Sequence, residues 1–324
     1  MSNILSSDSI DFSKYMLESE SKQKVRPAAE YVQDLIDDLG VYRKPVHAFL
    51  PWEKTHQVFH FRPGEVTLWV GVNGHGKSQV TGLVALSLCT QEERVCIASF
   101  EMKPTKTLER MVRQFSGQTP PQAHDFNDRG VMASFRDTYE QFQTFTDRRM
   151  WLYDQQGTVD TKTLIGVIRY CAKELHIKHF FIDSLMKCIQ GEDDYNGQKL
   201  FIDQVTSIAR DTGMHIHVIH HSKKLANEEA MPDKMDVKGS GSITDQVDNL
   251  LIVWRNKKKE RTLAEGKRVT DEEPDALLIC DKQRNGEWEG RVGLWYHRDS
   301  QQFVGASDAQ PLNFCGGFPH RSGF

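Results

Sequence analysis

Between the apolar run "VTLWV" and the helix-like "QVTGLVALSL" lies "GVNGHGKS", residues 71–78. Glycines at this density let successive backbone N–H groups curl around an anion, and a helix beginning at the lysine adds a favourable dipole. The pattern G-x-x-x-x-G-K-S is met in full, with strand before and helix after. In that setting Lys77 reaches the β- and γ-phosphates of a nucleoside triphosphate, and the Ser78 hydroxyl ligates Mg²⁺. Gly71, Asn73, Gly74, His75, Gly76, Lys77, Ser78 and Gln79 are therefore expected to cradle ATP or another nucleoside triphosphate. A Gly-rich turn matching by chance is the weaker alternative.

Hydrolysis needs acids at the same edge of the sheet, and two strand ends supply them. Asp183 closes "HFFID" and suits a magnesium ligand; Glu101 closes "RVCIASFE" and could accept a proton from the attacking water. Each also has a plain reading, a helix N-cap for Asp183 and an exposed strand-end charge for Glu101. Two such acids beside a phosphate loop weigh more than either alone.

The elements that must position these groups alternate from Glu65 onward. "EVTLWVG", "RVCIASF", "MWLYD", "KHFFID" and "HIHVIHH" read as strands, with helical patterns after the first four. Alternation of this kind predicts an α/β fold, a mostly parallel sheet with helices on both faces. Ligands then gather at the C-terminal edge of the strands. After Lys238, "NLLIVWR", "ALLICDK" and "VGLWYH" read as strands with no helices between them, hence antiparallel additions at the C-terminal edge. Residues 1–24 are Ser-rich and poorly periodic, so they are expected to be disordered. Residues 28–39 have the spacing of a short amphipathic helix, whose apolar face packs either on its own domain or on a neighbouring subunit. The expected division is an N-terminal extension with a linker helix (1–45), an ATPase domain (46–305) and a flexible C-terminal tail (306–324).

Composition sets outer bounds. The chain has 324 residues, 38% hydrophobic and 27% charged, which is ordinary for a globular protein. No apolar run is long enough to span a bilayer, so no membrane partner is expected. Six scattered cysteines without a CxxC pair read as free thiols in a reducing, cytoplasmic setting. A net charge of -4 argues against wholesale basic coating of nucleic acid but leaves a local basic track open.

A catalytic acid at the end of the next strand, rather than beside the magnesium acid, is the arrangement of RecA-like ATPases. "SFEM" (residues 99–102), "FFIDSL" (180–185), "KGSGSITDQVDNLLIVWRN" (238–256) and "DKQRNGEWEG" (281–290) follow the phosphate loop in a fixed order. With that order, residues 51–303 resemble the helicase domain of ring-shaped replicative helicases: phage primase–helicases, Twinkle and the DnaB family. The resemblance implies Lys77 and Ser78 as phosphate and metal contacts, Glu101 as catalytic base and Asp183 as the second Mg²⁺ ligand. It implies His221, in "HVIHHSKK", as the γ-phosphate sensor, a histidine in the phage branch. A core histidine at a strand end is the plain reading of that residue, and His220 should face the other way. It implies Lys282 and Arg284 as cations reaching a neighbour's nucleotide, where "RNG" alone is an ordinary hairpin turn. Arg255 and Tyr296 match residues flanking the nucleotide base, with His297 the alternative to Tyr296.

The resemblance also makes "SKKLANEEAMPDKMDV", residues 222–237, a DNA-binding loop, with Lys223, Lys224 and Asn227 as phosphate contacts. Glu228, Glu229 and Asp233 offset its lysines, so a solvated loop stays open as a reading. "IQGEDDYNGQK", residues 189–199, would be a second channel loop, and "RNKKKER" reads as a solvated hairpin. No zinc-ribbon cysteines or primase domain accompany the motifs. The implied function is an ATP-dependent DNA helicase, a homohexamer translocating on single-stranded DNA with other replication proteins as partners. A RecA-like DNA-binding ATPase without unwinding, and an ATP-switched helicase-loading module, are the alternatives.

Overall fold

In the computed structural model the described residues are 4–5, 10–16, 47–189, 191, 194–223, 227, 229–239 and 241–315, with Ala28, Ala29, Val32 and Ile36. The phosphate-loop strand β2 (Val66–Val70) is buried at every position because it lies in the middle of a sheet covered on both faces. Around it run β1 (Ile4–Leu5), β3 (Val95–Ser99), β4 (Met150–Tyr153), β5 (His179–Asp183), β6 (His215–Ile219) and β7 (Asn249–Arg255). The sheet ends in β8 (Ala276–Gln283), β9 (Gly290–His297) and β10 (Gln302–Val304). The order is β1-β4-β3-β5-β6-β2-β7-β8-β9-β10. The first seven strands in that order are parallel to one another, and the last three pair antiparallel.

Alternate side chains feed two cores. Leu68 and Val70 join Leu164 and Ile202 on one face, under α5 (Thr161–Lys173) and α6 (Tyr195–Thr212). Trp69 joins Leu83 and Met111 on the other, under α2 (Lys77–Thr90) and α3 (Pro104–Ser116). Helix α2 is apolar on nearly all sides and correspondingly buried. Proline in the first turn and Gly117 at φ +70 bracket α3. Helix α4 (Arg129–Thr146), which the pattern reading did not single out, starts at Asp128, whose carboxylate accepts from the N–H groups of Gly130 and Val131.

Four expectations need correction. Strand β7 is parallel to β2 rather than an antiparallel addition; only β8, β9 and β10 are antiparallel. "RNKKKER" is not a hairpin but opens helix α8 (Lys257–Ala264), capped by the Asn256 side chain. Its sequence has almost no apolar stripe, and it is anchored by the Lys259 ammonium 2.8 Å from Asp275. Within residues 1–24, Ile4–Leu5 pairs with β4, and Phe12 and Tyr15 of the α1 region (Ser13–Met16) are buried beside α5. After residue 305 the chain is packed as far as Cys315: Gln302 exchanges two hydrogen bonds with Leu312, and Phe314 stacks on Phe115.

Of the expected linker helix, Ala28, Ala29, Val32 and Ile36 are helical and exposed; its other residues lie outside the described ones. All six cysteines are free, five of them buried. Among the described residues no helix is long and apolar enough to cross a membrane.

Candidate active site

Strand β2 runs directly into Gly71. A Cβ there would lie 2.5 Å from the Val253 carbonyl oxygen of β7, so only glycine lets the chain turn beside its parallel neighbour. Gly74 and Gly76 take φ +79 and +87, a left-handed conformation that glycine adopts without a Cβ clash. Gly76 is the N-cap of α2, which aims the first N–H groups of that helix at the loop. The Lys77 ammonium donates to the carbonyls of Gly71 at 2.8 Å and Val72 at 3.2 Å. Burial lowers its pKa to about 8. His75 points inward: it is 2% exposed, and its Nδ1 accepts from the Arg255 backbone N–H at 3.2 Å. Burial, ahead of nearby cations, drops its pKa to about 4, so a neutral imidazole braces the loop from within. Asn73 and Gly74 stay exposed at the loop tip.

Both acids sit where the strands deliver them. Ser99 of β3 is in register with Asp183 of β5, and Ser78 Oγ donates to Asp183 Oδ2 at 3.0 Å. Glu101, just beyond β3, accepts from Ser184 Oγ at 2.8 Å, and its Oε1 lies 3.9 Å from His221 Nε2. That 3.9 Å is an ion-pair separation, too long for a hydrogen bond. The His221 side chain, with help from Ser184, holds the Glu101 carboxyl down at about 2. Asp183 is pushed the other way, first by burial and then by the Glu101 charge. Two carboxylates with such a strained charge balance beside a serine hydroxyl fit a divalent cation. No cluster of three or more His, Cys, Asp or Glu among the described residues could hold a metal unaided. A Mg²⁺ bound through Ser78 and Asp183 would therefore draw its other oxygens from phosphate and water, as Mg²⁺ commonly does.

The two histidines after β6 diverge. His220 is buried and its Nε2–H donates to the Lys238 carbonyl at 2.6 Å, while His221 faces Glu101. The His221 carbonyl in turn accepts from Lys238 N–H at 3.1 Å. Ser222 bridges to Val237, so His221 stands at the closed base of the loop spanning residues 222–237. The described part of that loop is organised. Lys234–Asp236 form a 3-10 turn with reciprocal Asp233 and Asp236 caps. Trp254 Nε1 donates to Ala230 O, and Arg261 pairs with Glu229 at 2.9 Å. Lys223 Nζ folds back on the Met235 carbonyl, and Asn227 Oδ1 accepts from Glu229 N–H. Lys224 lies outside the described residues.

Around the opposite rim of the phosphate loop, Arg255 Nη1 donates to Gly74 O at 3.2 Å and its Nε pairs with Glu260. Tyr296 OH accepts from Gln79 Nε2 at 3.2 Å, whereas the alternative, His297, engages Ser300. Phe303 of β10 lies against Tyr296 and close to Gly76. Neither β10 nor Phe303 stood out in the sequence, because a three-residue strand carries almost no periodic signal. Arg110 likewise carries no distinctive signal in the sequence. It is an exposed cation on α3 lining a cleft with Ser78, Gln79 and Asp183, one of several basic residues in an ordinary amphipathic helix.

Lys282 and Arg284 are elsewhere. Because β8 runs antiparallel to β7, Gln283 pairs with Asn249, level with Thr67 at the start of β2. At about 3.3 Å per residue, that puts Arg284 more than 10 Å along the sheet from its own phosphate loop. Lys282 Nζ donates to the carbonyls of Thr244 and Asp245, and Arg284 pairs with Asp248 at 2.9 Å. One chain thus unites Lys77, Ser78, Glu101, Asp183 and His221, and leaves both outlying cations at the far edge.

Known proteins share this arrangement of elements. The DnaB-like helicase C terminal domain family matches residues 56–305, most of the chain. A solved DnaB-like replicative helicase, described with its interactions with primase, superposes with a TM-score of 0.68 at 13% identity. That similarity covers 88% of this chain and 67% of the helicase. The ATPase domain of G40P superposes with a TM-score of 0.65 at 13% identity, over 87% of this chain and 99% of that domain. At such identities the two structures speak for the fold, a mostly parallel α/β sheet with antiparallel edge strands.

Proposed function

The chain belongs to the DnaB-like helicase C-terminal domain family, a family of replicative helicase-type ATPases, and we propose that it unwinds DNA as an ATP-driven homohexameric ring. The observation that carries this reading is the division of cations. Lys77 lies among the acids, while Lys282 and Arg284 are held at the opposite sheet edge, out of reach of their own phosphate loop. Such an arrangement makes sense when a second copy presents its far edge to the first.

In this reading Lys77 exchanges the Gly71 and Val72 carbonyls for β- and γ-phosphate oxygens. Ser78 and Asp183 would hold Mg²⁺, which when bound would offset charge on the phosphate oxygens. Glu101, ionised throughout the neutral range, orients the water and takes up its proton as the water oxygen bonds to the γ-phosphorus and the bond to the β–γ bridging oxygen breaks, leaving ADP and phosphate. His221 hydrogen-bonds the γ-phosphate and loses that contact on hydrolysis. Being also the base of the loop at residues 222–237, it passes the change to Lys223, Lys224 and Asn227 on single-stranded DNA. Arg255 and Tyr296 flank the base, and the neighbour's Lys282 and Arg284 stabilise the charge at the scissile phosphate. The domain division proposed is an ATPase domain over residues 46–305 preceded by a linker helix that docks on the adjacent subunit. Other replication proteins are proposed partners, as the similar helicase described with primase suggests.

The test is direct: image the protein with ATP and single-stranded DNA, and assay strand separation on forked duplexes with either tail. Closed six-membered rings and ATP-dependent unwinding are expected. Filaments that hydrolyse ATP without separating strands, or slow turnover indifferent to DNA, would overturn the helicase reading in favour of a recombinase-type or loading role.

A further inference from the structure

Asp248 joins α7 (Gly241–Gln246) to β7, is 4% exposed, and spends all its polar groups on two residues. Its N–H donates to Val66 O at 3.0 Å, and its Oδ2 accepts from Val66 N–H at 2.9 Å. Its carbonyl accepts from Arg284 N–H at 2.9 Å, and its Oδ1 accepts from Arg284 Nη1 at 2.9 Å. Val66 opens the strand that leads to the phosphate loop. Arg284 is the cation assigned above to the neighbouring nucleotide.

The rest of the guanidinium is fixed as well. Nη2 donates to the carbonyls of Asp245 at 2.9 Å and Gln246 at 3.3 Å, at the C-terminal end of α7. With these three acceptors the side chain remains 38% exposed, and among the described residues its other N–H groups meet no acceptor, so an anion can reach them. The next residue is tied to the same root: Asn285 Nδ2 donates to Glu65 Oε1 at 2.7 Å, and Glu65 is 4% exposed. A buried ion pair gains little over an apolar pair of the same shape, yet removing one partner strands the other charge. A solvated turn would need no such anchorage.

We propose that Asp248 is a positioning residue for Arg284, presetting the guanidinium for the adjoining subunit's nucleotide with the chain's own phosphate-loop strand as anchor. This rests on the between-subunit role of Arg284. A long arginine side chain held in place before the charge develops loses no rotamer freedom at the moment of reaction. Asp248→Asn leaves one carbonyl oxygen to accept from Val66 N–H, so the loss of the carboxylate charge acts on turnover through Arg284.

The experiment is a double-mutant cycle on the full chain: wild type, Asp248→Asn, Arg284→Ala and the double variant, each assayed for kcat, KM and nucleotide binding. Asp248→Asn is expected to lower kcat about tenfold with KM and binding within about twofold, and to add nothing in the Arg284→Ala background. Asp248→Glu, which restores a carboxylate, should recover part of the loss, and it provides the reading if the Asn variant does not fold. Equal losses from Asp248→Asn in both backgrounds would overturn the positioning role while leaving the trans role of Arg284 intact. Full activity in Arg284→Ala would overturn both.

Discussion

At the residue scale, the pairing of Glu101 with His221 has a consequence that can be read in a pH profile. In the proposed mechanism Glu101 must be ionised to handle the attacking water, and the imidazole beside it keeps its pKa at about 2 instead of the ordinary 4.5. A depressed carboxyl pKa means that the active form persists into acid. Replacing His221 by glutamine keeps a hydrogen-bond donor for phosphate but removes the main cause of the depression. The acid limb of kcat in His221→Gln should then move to higher pH, so that activity at pH about 5 falls relative to neutral pH more than in wild type. An acid limb that stays in place would show that the histidine does not govern Glu101. The residue types of this site were legible in the sequence because the motif order carried them. Their electrostatics were not, since the 3.9 Å approach of His221 to Glu101 depends on how β3, β5 and β6 lie side by side.

At the element scale, the turn out of β2 is limited by the carbonyl of a neighbouring strand. Gly71→Ala would drive a methyl group to 2.5 Å from Val253 O. The expected cost is roughly 1–3 kcal/mol of stability, with weakened nucleotide binding as the loop shifts. Chemical denaturation checks it: a variant within a few tenths of a kcal/mol of wild type would mean that the strands part easily. Strong periodicity made the central strands and helices α2, α3, α5 and α6 legible, and β2, β3, β5 and β6 lie where the pattern puts them; the 18-residue α4 did not stand out. What was not legible depends on distant partners. The two-residue β1 exists only because β4 offers an edge, and β7 runs parallel because the chain crosses β2 from β6 before entering it. Helix α8 is held by a cap and a buried lysine rather than by an apolar stripe. Phe314 is ordered by Phe115 and Phe145, aromatic partners far back in the chain.

At the scale of the whole molecule, the proposed sharing of one nucleotide by Lys77 and a second copy's Arg284 requires a head-to-tail neighbour, since a self-facing pair of copies would bring like edges together. In a ring each site then combines Glu101 of one copy with Arg284 of the next. The loop at residues 222–237 is moored on β7, α8 and β8, the same block that carries the outlying cations. In the proposed ring, movement on DNA and hydrolysis next door would share this one support. The most direct measurement mixes two defective chains, Glu101→Gln and Arg284→Ala, each nearly inactive alone, and follows ATP hydrolysis after co-assembly. Random rings should contain interfaces that unite an intact Glu101 with a neighbour's intact Arg284, restoring about a quarter of wild-type activity at equal mixing. A mixture no more active than its two components would contradict a site shared between copies.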